Sequence, residues 1–476
     1  MKKNLCIIIV IIINANLFGQ GNEIFNNTKI HVVKLTTLNS TDWDSIVNRY
    51  YAKIYTPLRV EIDGIVIDSV GVRIKGNSFY PPTMGKNKYQ PFRLKFGKFK
   101  DGQRFDGLKD VNLHMHDLLT NFVGYDLWRT SKLVAPRTSF AKVYFDNVYL
   151  GFYMFVDEVD KTFLKSNYGN NDGNLFKADE KMANLSWLGW DQSAYKSYKL
   201  ETNETENDKS DLIVLLNSIH NTPDNTLLDS ISSYLNIDAF INSLVIELYI
   251  CKRDAFYDSG HNYFLYHNTA TKKFEYIPWD LDNSFQVLDP FNLNFVSGSG
   301  MINNSTISKI INVPSLNSLY YQTTCQMINS SAFGEERLLK LIDDTETFLK
   351  QNSLSFNFNT GYTINQVKDF ISGRKSKIEK DFNTYNFTCN YTNGIQNNAY
   401  ENVFTVSPNP TSSYICINGI QKNTFKTYQI YNLVGLKEIE GNYSDIVDIR
   451  SLKAGIYILS LISNNAKNIN FKIVKK

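Results

Sequence analysis

The order in which hydrophobic periodicities follow one another constrains this fold more than any single motif. In the first third, β-branched and aromatic residues gather in short strand-like runs at 60–67, 70–74, 92–96, 140–145 and 149–156. Asp63-Gly64 predicts a bend in the first run, and Asp146-Asn147 a hairpin joining the last two. Helical spacing marks 118–132 and then dominates the second half, at 212–218, 237–250, 335–351 and 365–382, with strands at 262–266 and 274–277. A strand-rich part followed by a helix-rich part predicts an α+β fold of two lobes, with a cleft between them as the ligand site.

The 476 residues allow two or three domains, each with a full core. A net charge of only +3 gives no extended basic surface, so no nucleic-acid partner is expected. Lys2 and Lys3 followed by the apolar run 5–13 read as a signal peptide, 1–20, too short to span a bilayer. No other run approaches 18 apolar residues, so no membrane span is expected in the mature chain, and export by the Sec pathway is. Four cysteines would remain, at 251, 325, 389 and 416, without zinc spacing. Export permits a Cys325–Cys389 disulfide, while free buried thiols are the other reading.

An Asn/Thr-rich stretch near 391–403 reads as a linker. Beyond it, 404–476 shows short strands separated by turns, at 428–433, 446–449, 455–462 and 469–474, the pattern of a small all-β sandwich. The Ser407-Pro408-Asn409-Pro410 opening, the segment from Asp448 to Tyr457 and the basic ending after Phe471 resemble the type A C-terminal sorting domain of the Bacteroidetes type IX secretion system. That resemblance implies passage across the outer membrane by the type IX machinery and a secreted or cell-surface protein.

Within 21–390, the chemistry-bearing residues gather in a few passages. The strand 274–277 runs into Trp279-Asp280-Leu281-Asp282-Asn283, which puts two carboxylates on one face, able to converge on a single cation. The other reading is an acidic turn that caps the next element or binds calcium structurally. Asp254, Asp258 and Asn262 lie upstream in an irregular Gly-containing loop. The order Asp, Asn, strand, strand, Asp suits phosphoryl transfer: one carboxylate for the acceptor hydroxyl, and an amide and a carboxylate for magnesium. The other reading of this loop is solvated, with a capping Asp. Gly71-Val72-Arg73-Ile74-Lys75-Gly76-Asn77-Ser78 lacks the lysine before the hydroxyl residue that a Walker A loop requires. Its Arg73 and Lys75 either cover phosphates or are solvated charges. Lys95, among apolar neighbours, needs an anion or an acidic partner unless it snorkels from an edge strand. His114 and His116 share a strand face as an acceptable zinc pair, but no third ligand stands near them in the sequence, and surface or satisfied core histidines are the favoured reading.

These passages, with Pro91-Phe92-Arg93-Leu94-Lys95-Phe96 and the run from Gly151 through Glu158 to Asp160, resemble in order the CotH kinase family, over about 31–387. The resemblance implies an atypical protein-kinase-like fold that uses ATP and Mg2+ (or Mn2+) to phosphorylate Ser or Thr of exported or cell-surface proteins. By position it implies Lys95 at the phosphates, Glu158 pairing a cation or bordering the adenine, and Asp254 as the catalytic carboxylate with Asp258 competing. It also implies Asn262 and Asp280 as magnesium ligands supported by Asp282. Two passages depart from the family wording: Cys251-Lys252-Arg253 before the catalytic position, and the histidines at 114 and 116. The competing expectation is a catalytically inactive adhesion or scaffold module with a structural cation.

Overall fold

The computed structural model describes residues 20–76, 89–178, 181–285, 288–352, 362–389, 404–407, 409–419, 425–432, 436–463 and 468–476. The expected signal peptide (apart from Gln20), the linker 391–403, and Asn77, Ser78 and Pro408 lie outside these residues. The chain divides into two compact units, Met1–Asn390 and Tyr391–Lys476.

Among the described residues, the first unit opens with seven strands: β1 (His31–Thr37), β2 (Thr56–Ile62), β3 (Ile65–Ile74), β4 (Phe92–Lys95), β5 (Asp110–His114), β6 (Thr138–Phe145) and β7 (Val148–Asp157). They close into a barrel in the order β1-β2-β3-β4-β5-β7-β6. Closure comes from a parallel pairing of β1 with β6, Val33 opposite Val143, which no local pattern announces. Alternate residues fill the interior, among them Leu58, Val72, Leu94, Leu113 and Phe155, so the barrel is a packed core and not a pore. Residues 60–67 are not one bent strand: the chain reverses at Asp63-Gly64, both at positive φ, and makes the β2–β3 hairpin. Asp146-Asn147, also at positive φ, turns the β6–β7 hairpin.

Helices α1 (Asp42–Asn48) and α2 (Leu118–Thr130) are inserted among these strands. Next come α3 (Lys161–Tyr168), α4 (Ser210–Asn221), α5 (Leu227–Tyr234), α6 (Ile237–Tyr249), α7 (Ser305–Asn312), α8 (Pro314–Ile328), α9 (Glu335–Asn352) and α10 (Ile364–Thr384). They accompany a four-stranded sheet of β8 (Leu175–Ala178), β9 (Tyr198–Leu200), β10 (Tyr263–Asn268) and β11 (Lys273–Pro278), ordered β11-β10-β8-β9, and a ribbon of β12 (Val296–Ser297) and β13 (Gly300–Met301). Cys325 of α8 is disulfide-bonded to Cys389, Cα to Cα 5.5 Å, while Cys251 is a free buried thiol.

The second unit contains β14 (Phe404–Ser407), β15 (Tyr414–Gly419), β16 (Phe425–Asn432), β17 (Lys437–Asn442), β18 (Ile446–Asp448), β19 (Gly455–Ser463) and β20 (Asn468–Lys475). They form a sheet β14-β15-β18 and a sheet β17-β16-β19-β20, which share one core through Ile415, Val447, Ile430, Leu459 and Ile473.

Candidate active site

Strand parity decides which side chains leave the barrel. β5 is buried on both faces: Val111 and Leu113 enter the barrel core, so Asp110, Asn112 and His114 point outward. The register sets Arg93 of β4 opposite Asn112, and Arg73 of β3 opposite Arg93. This polar row is tied together by charge. Arg93 reaches Asp110 at 3.3 Å and Glu158, just past β7, at 3.2 Å. Asn112 Nδ2 donates to Glu158 Oε2 at 2.6 Å. Burial works against the Glu158 carboxylate, but Arg93, Lys177 and the Asn112 bond outweigh it and keep the group below its ordinary pKa.

The facing residues come from loops of the helical part. Asp254, Asn262, Asp280 and Asn283 all have left-handed backbones, with φ of 57, 64, 48 and 58°. Such a cluster of non-glycine residues in a sparsely populated region persists only where surroundings hold it, and it is typical of functional loops. Lys252 is one of the groups that hold it. Fully buried, it pairs with Glu247 at 3.5 Å and donates to the backbone carbonyls of Asn262 (3.0 Å) and Trp279 (3.2 Å). One ammonium thus joins the Asp254 loop to the entry of β10 and to the residue before Asp280. α2 is the second support. A Cβ on Gly124 would stand 2.6 Å from the Leu281 side chain, so glycine lets the helix approach the Asp-Leu-Asp turn closely. Asn121 then donates to Asp282 Oδ1 at 2.6 Å and accepts from Leu281 N at 2.9 Å, and Asp280 N donates to the Tyr125 hydroxyl at 3.1 Å.

Between these walls lies a polar cleft of about 330 Å³. At its floor His114, Asp280 and Asp282 each offer one donor atom within 4.8 Å of the others. Among the described residues, Asp280 Oδ1 is buried without a hydrogen-bond partner. Burial, then Asp280 and Asp117, push the Asp282 carboxyl well above the usual carboxylate range. An orphaned buried oxygen beside crowded carboxylates fits a divalent cation, which would supply the missing partner and offset the repulsion. Lys75 approaches the same place: its ammonium meets His114 Nε2 and lies 5.5 Å from the centre of the Trp279 ring. Although part of its surface opens to the cleft, desolvation pushes its pKa down to about 8 against the pull of Asp280 and Glu158.

Seven of the nine expected site residues line this cleft: Arg73, Lys75, Glu158, Asp254, Asn262, Asp280 and Asp282. Lys95 and Asp258 do not. Lys95 ends β4 one pleat beyond Arg93, is 41% exposed and lies 3.9 Å from Asp110, so from β4 it is Arg93 that lines the cleft. Asp258 is exposed on the far part of its loop, whereas Asp254 lines the cleft and accepts from Asn283 Nδ2 at 3.0 Å. The two histidines separate in the structure. His114 ends β5 and groups with Asp280 and Asp282, while His116 follows the strand. The sequence did not point to Asn121, Lys252 or Asn112. Asn121 had a signal: with Tyr125 at i+4, it puts polar groups on the helix face that 118–132 was expected to bury.

Residues 72–378 match the family model described as CotH kinase protein, and residues 405–476 match that of the secretion system C-terminal sorting domain. The first match spans more than half of the sequence, and the chain belongs to the CotH kinase protein family. The inner spore coat protein H of Bacillus subtilis (strain 168) is 25% identical over 195 residues, 39% of this chain and 52% of that protein. The chain therefore spans about half the length of that curated relative. The sorting domain identifies a secreted or cell-surface protein, and no described helix is long and apolar enough to cross a membrane.

Proposed function

We propose that this CotH-family chain is a secreted, two-lobed, kinase-like enzyme that transfers the γ-phosphate of ATP to Ser or Thr hydroxyls of exported or cell-surface proteins. The supporting observation is one cleft that gathers Arg73 and Lys75 with Asp254, Asn262, Asp280 and Asp282. Phosphoryl transfer needs little covalent chemistry from the protein; it needs positioned charge. Arg73 and Lys75 bring positive charge to the phosphates from the barrel side. Asp280 and Asp282, with Asn262 beside them, would hold the divalent cation, Mg2+ or Mn2+. When bound, that cation neutralises charge developing on the phosphate oxygens. Asp254, oriented by Asn283, accepts the proton of the attacking hydroxyl. The acceptor oxygen bonds to phosphorus as the bridging oxygen leaves with ADP. Arg93 and Asn112 fix Glu158 at the cleft wall. The C-terminal unit serves the type IX secretion machinery as its sorting signal.

The direct test is phosphate transfer from radiolabelled ATP to an added protein such as casein, with Mg2+ or Mn2+ present. The reading expects acid-stable phosphoserine or phosphothreonine, absent with Asp254→Asn and Asp280→Ala. Label incorporated equally by both variants overturns the site assignment.

A further inference from the structure

His114 has a consequence for which metal the cleft accepts. The side chain is 4% exposed, and its ring stands edge-on to Trp279 at 6.2 Å. Its donor nitrogen and single oxygens of Asp280 and Asp282 lie within 4.8 Å of one another. Three ligands bound at about 2.1 Å around one ion stand about 3.0–3.6 Å apart, so each atom would have to move inwards by up to about 1 Å. An imidazole with two carboxylates is not a set of hard oxygen donors. Nitrogen donors strengthen binding along the first-row transition series, whereas Mg2+ favours oxygen shells and keeps its waters.

Lys75 contacts Nε2 of the same imidazole. An ammonium has only donors, so its contact with His114 Nε2 requires the imidazole lone pair to be on Nε2. A neutral imidazole has one such lone pair, and a metal ion and Lys75 cannot both use it.

We infer that His114 joins Asp280 and Asp282 as a nitrogen ligand that makes the cleft bind a first-row transition-metal dication in preference to Mg2+, and that Lys75 competes with the metal for that ligand. The inference rests on the cation reading of Asp280 and Asp282 given above. Metal entry would free Lys75 from His114 and leave its charge for the phosphates. Replacing His114 by asparagine keeps a neutral polar side chain but removes the nitrogen ligand.

The experiment titrates the full mature chain with Mn2+ and separately with Mg2+, without nucleotide, following the melting temperature. Pulsed electron paramagnetic resonance of bound Mn2+ detects directly coordinated nitrogen. Wild type should bind Mn2+ at least about tenfold more tightly than Mg2+ and show ¹⁴N modulation from imidazole. His114→Asn should lose the modulation and bring the two affinities within about threefold of each other. Lys75→Met should tighten Mn2+ binding several-fold. Mn2+ bound without nitrogen modulation in wild type, yet lost in Asp280→Ala, overturns the role of His114 and leaves the carboxylate site standing. Metal binding unchanged by Asp280→Ala, or absent altogether, overturns both readings. Should His114→Asn fail to fold, the wild-type nitrogen signal alone decides the ligand. Unchanged Mn2+ affinity in Lys75→Met overturns the competition.

Discussion

Asn121, fully buried in α2, donates its side-chain amide to Asp282 Oδ1 at 2.6 Å across 161 residues of sequence. The same amide group accepts from Leu281 N, so one side chain sets both the backbone and a carboxylate of the Asp-Leu-Asp turn. Asn121→Ala should weaken divalent-metal binding by about 10–100-fold, the usual effect of removing a group that orients a ligand. It should also lower stability by about 1–3 kcal/mol through the unpaired Leu281 amide. Calorimetric metal titration beside urea unfolding checks both. A variant that loses stability but binds metal normally would leave Asn121 a purely structural residue.

Asp254 and Asp258 should separate cleanly. Asp254→Asn should abolish phosphate transfer while keeping nucleotide-and-metal stabilisation, since the residue acts on the acceptor hydroxyl. Asp258→Asn should retain near wild-type transfer because its side chain is exposed away from the cleft. Rates and melting curves of the two variants check this.

On β4, two neighbouring cations should differ in the opposite sense from the sequence expectation. Arg93→Met breaks a mostly buried pairing with Glu158 and Asp110, and should destabilise by about 3–5 kcal/mol. Lys95→Met removes a half-exposed pair at 3.9 Å and should cost less than about 1 kcal/mol. Neither transfer rate nor nucleotide binding should respond strongly to the Lys95 change.

Asp157 gives a pH signature. Burial raises its carboxyl to about 6, against the Arg137 guanidinium 2.7 Å away. The folded state therefore binds a proton more readily than the unfolded chain. This group's contribution makes the protein more stable as pH falls from about 6 towards the ordinary carboxylate value near 4. Asp157→Asn should remove that part of the stability-versus-pH slope. Urea midpoints measured between pH 4 and 8 for the two proteins would reveal it.

The Cys325–Cys389 bridge closes a loop of 64 residues. Loop-closure entropy assigns such a bond about 4 kcal/mol, so Cys389→Ser should lower the unfolding free energy by about that much. Reductant should then affect wild type and leave the variant unchanged.

How far the sequence carried depended on whether a feature was local. The Asp280/Asp282 pair, Asn262 and Asp254 were legible because strand ends and irregular loops declare themselves over a few residues. Barrel closure was not, because the β1–β6 pairing joins residues more than 100 positions apart. The misreading of Lys95 came from a shorter range. Parity puts Arg93 and Lys95 on one face, but only the register with β5 shows that Arg93 meets Asn112 at the cleft and Lys95 meets Asp110. Asp63-Gly64 was a stronger turn than expected, reversing the chain where only a bend was foreseen. Lys252 could not be identified as the tie between Asn262 and Trp279, because its role exists only once three loops meet.

On the proposed reading, Asp280 anchors a nucleotide-and-metal site. That reading is tested most directly by thermal-shift titration of the mature protein with ATP, with Mg2+ or Mn2+, and with both. A ligand that binds only the folded state raises its melting temperature by mass action. ATP should add stabilisation beyond that of metal alone only when metal is present, and this increment should disappear in Asp280→Ala. Stabilisation by metal alone, indifferent to ATP, would contradict that reading and leave a structural cation site.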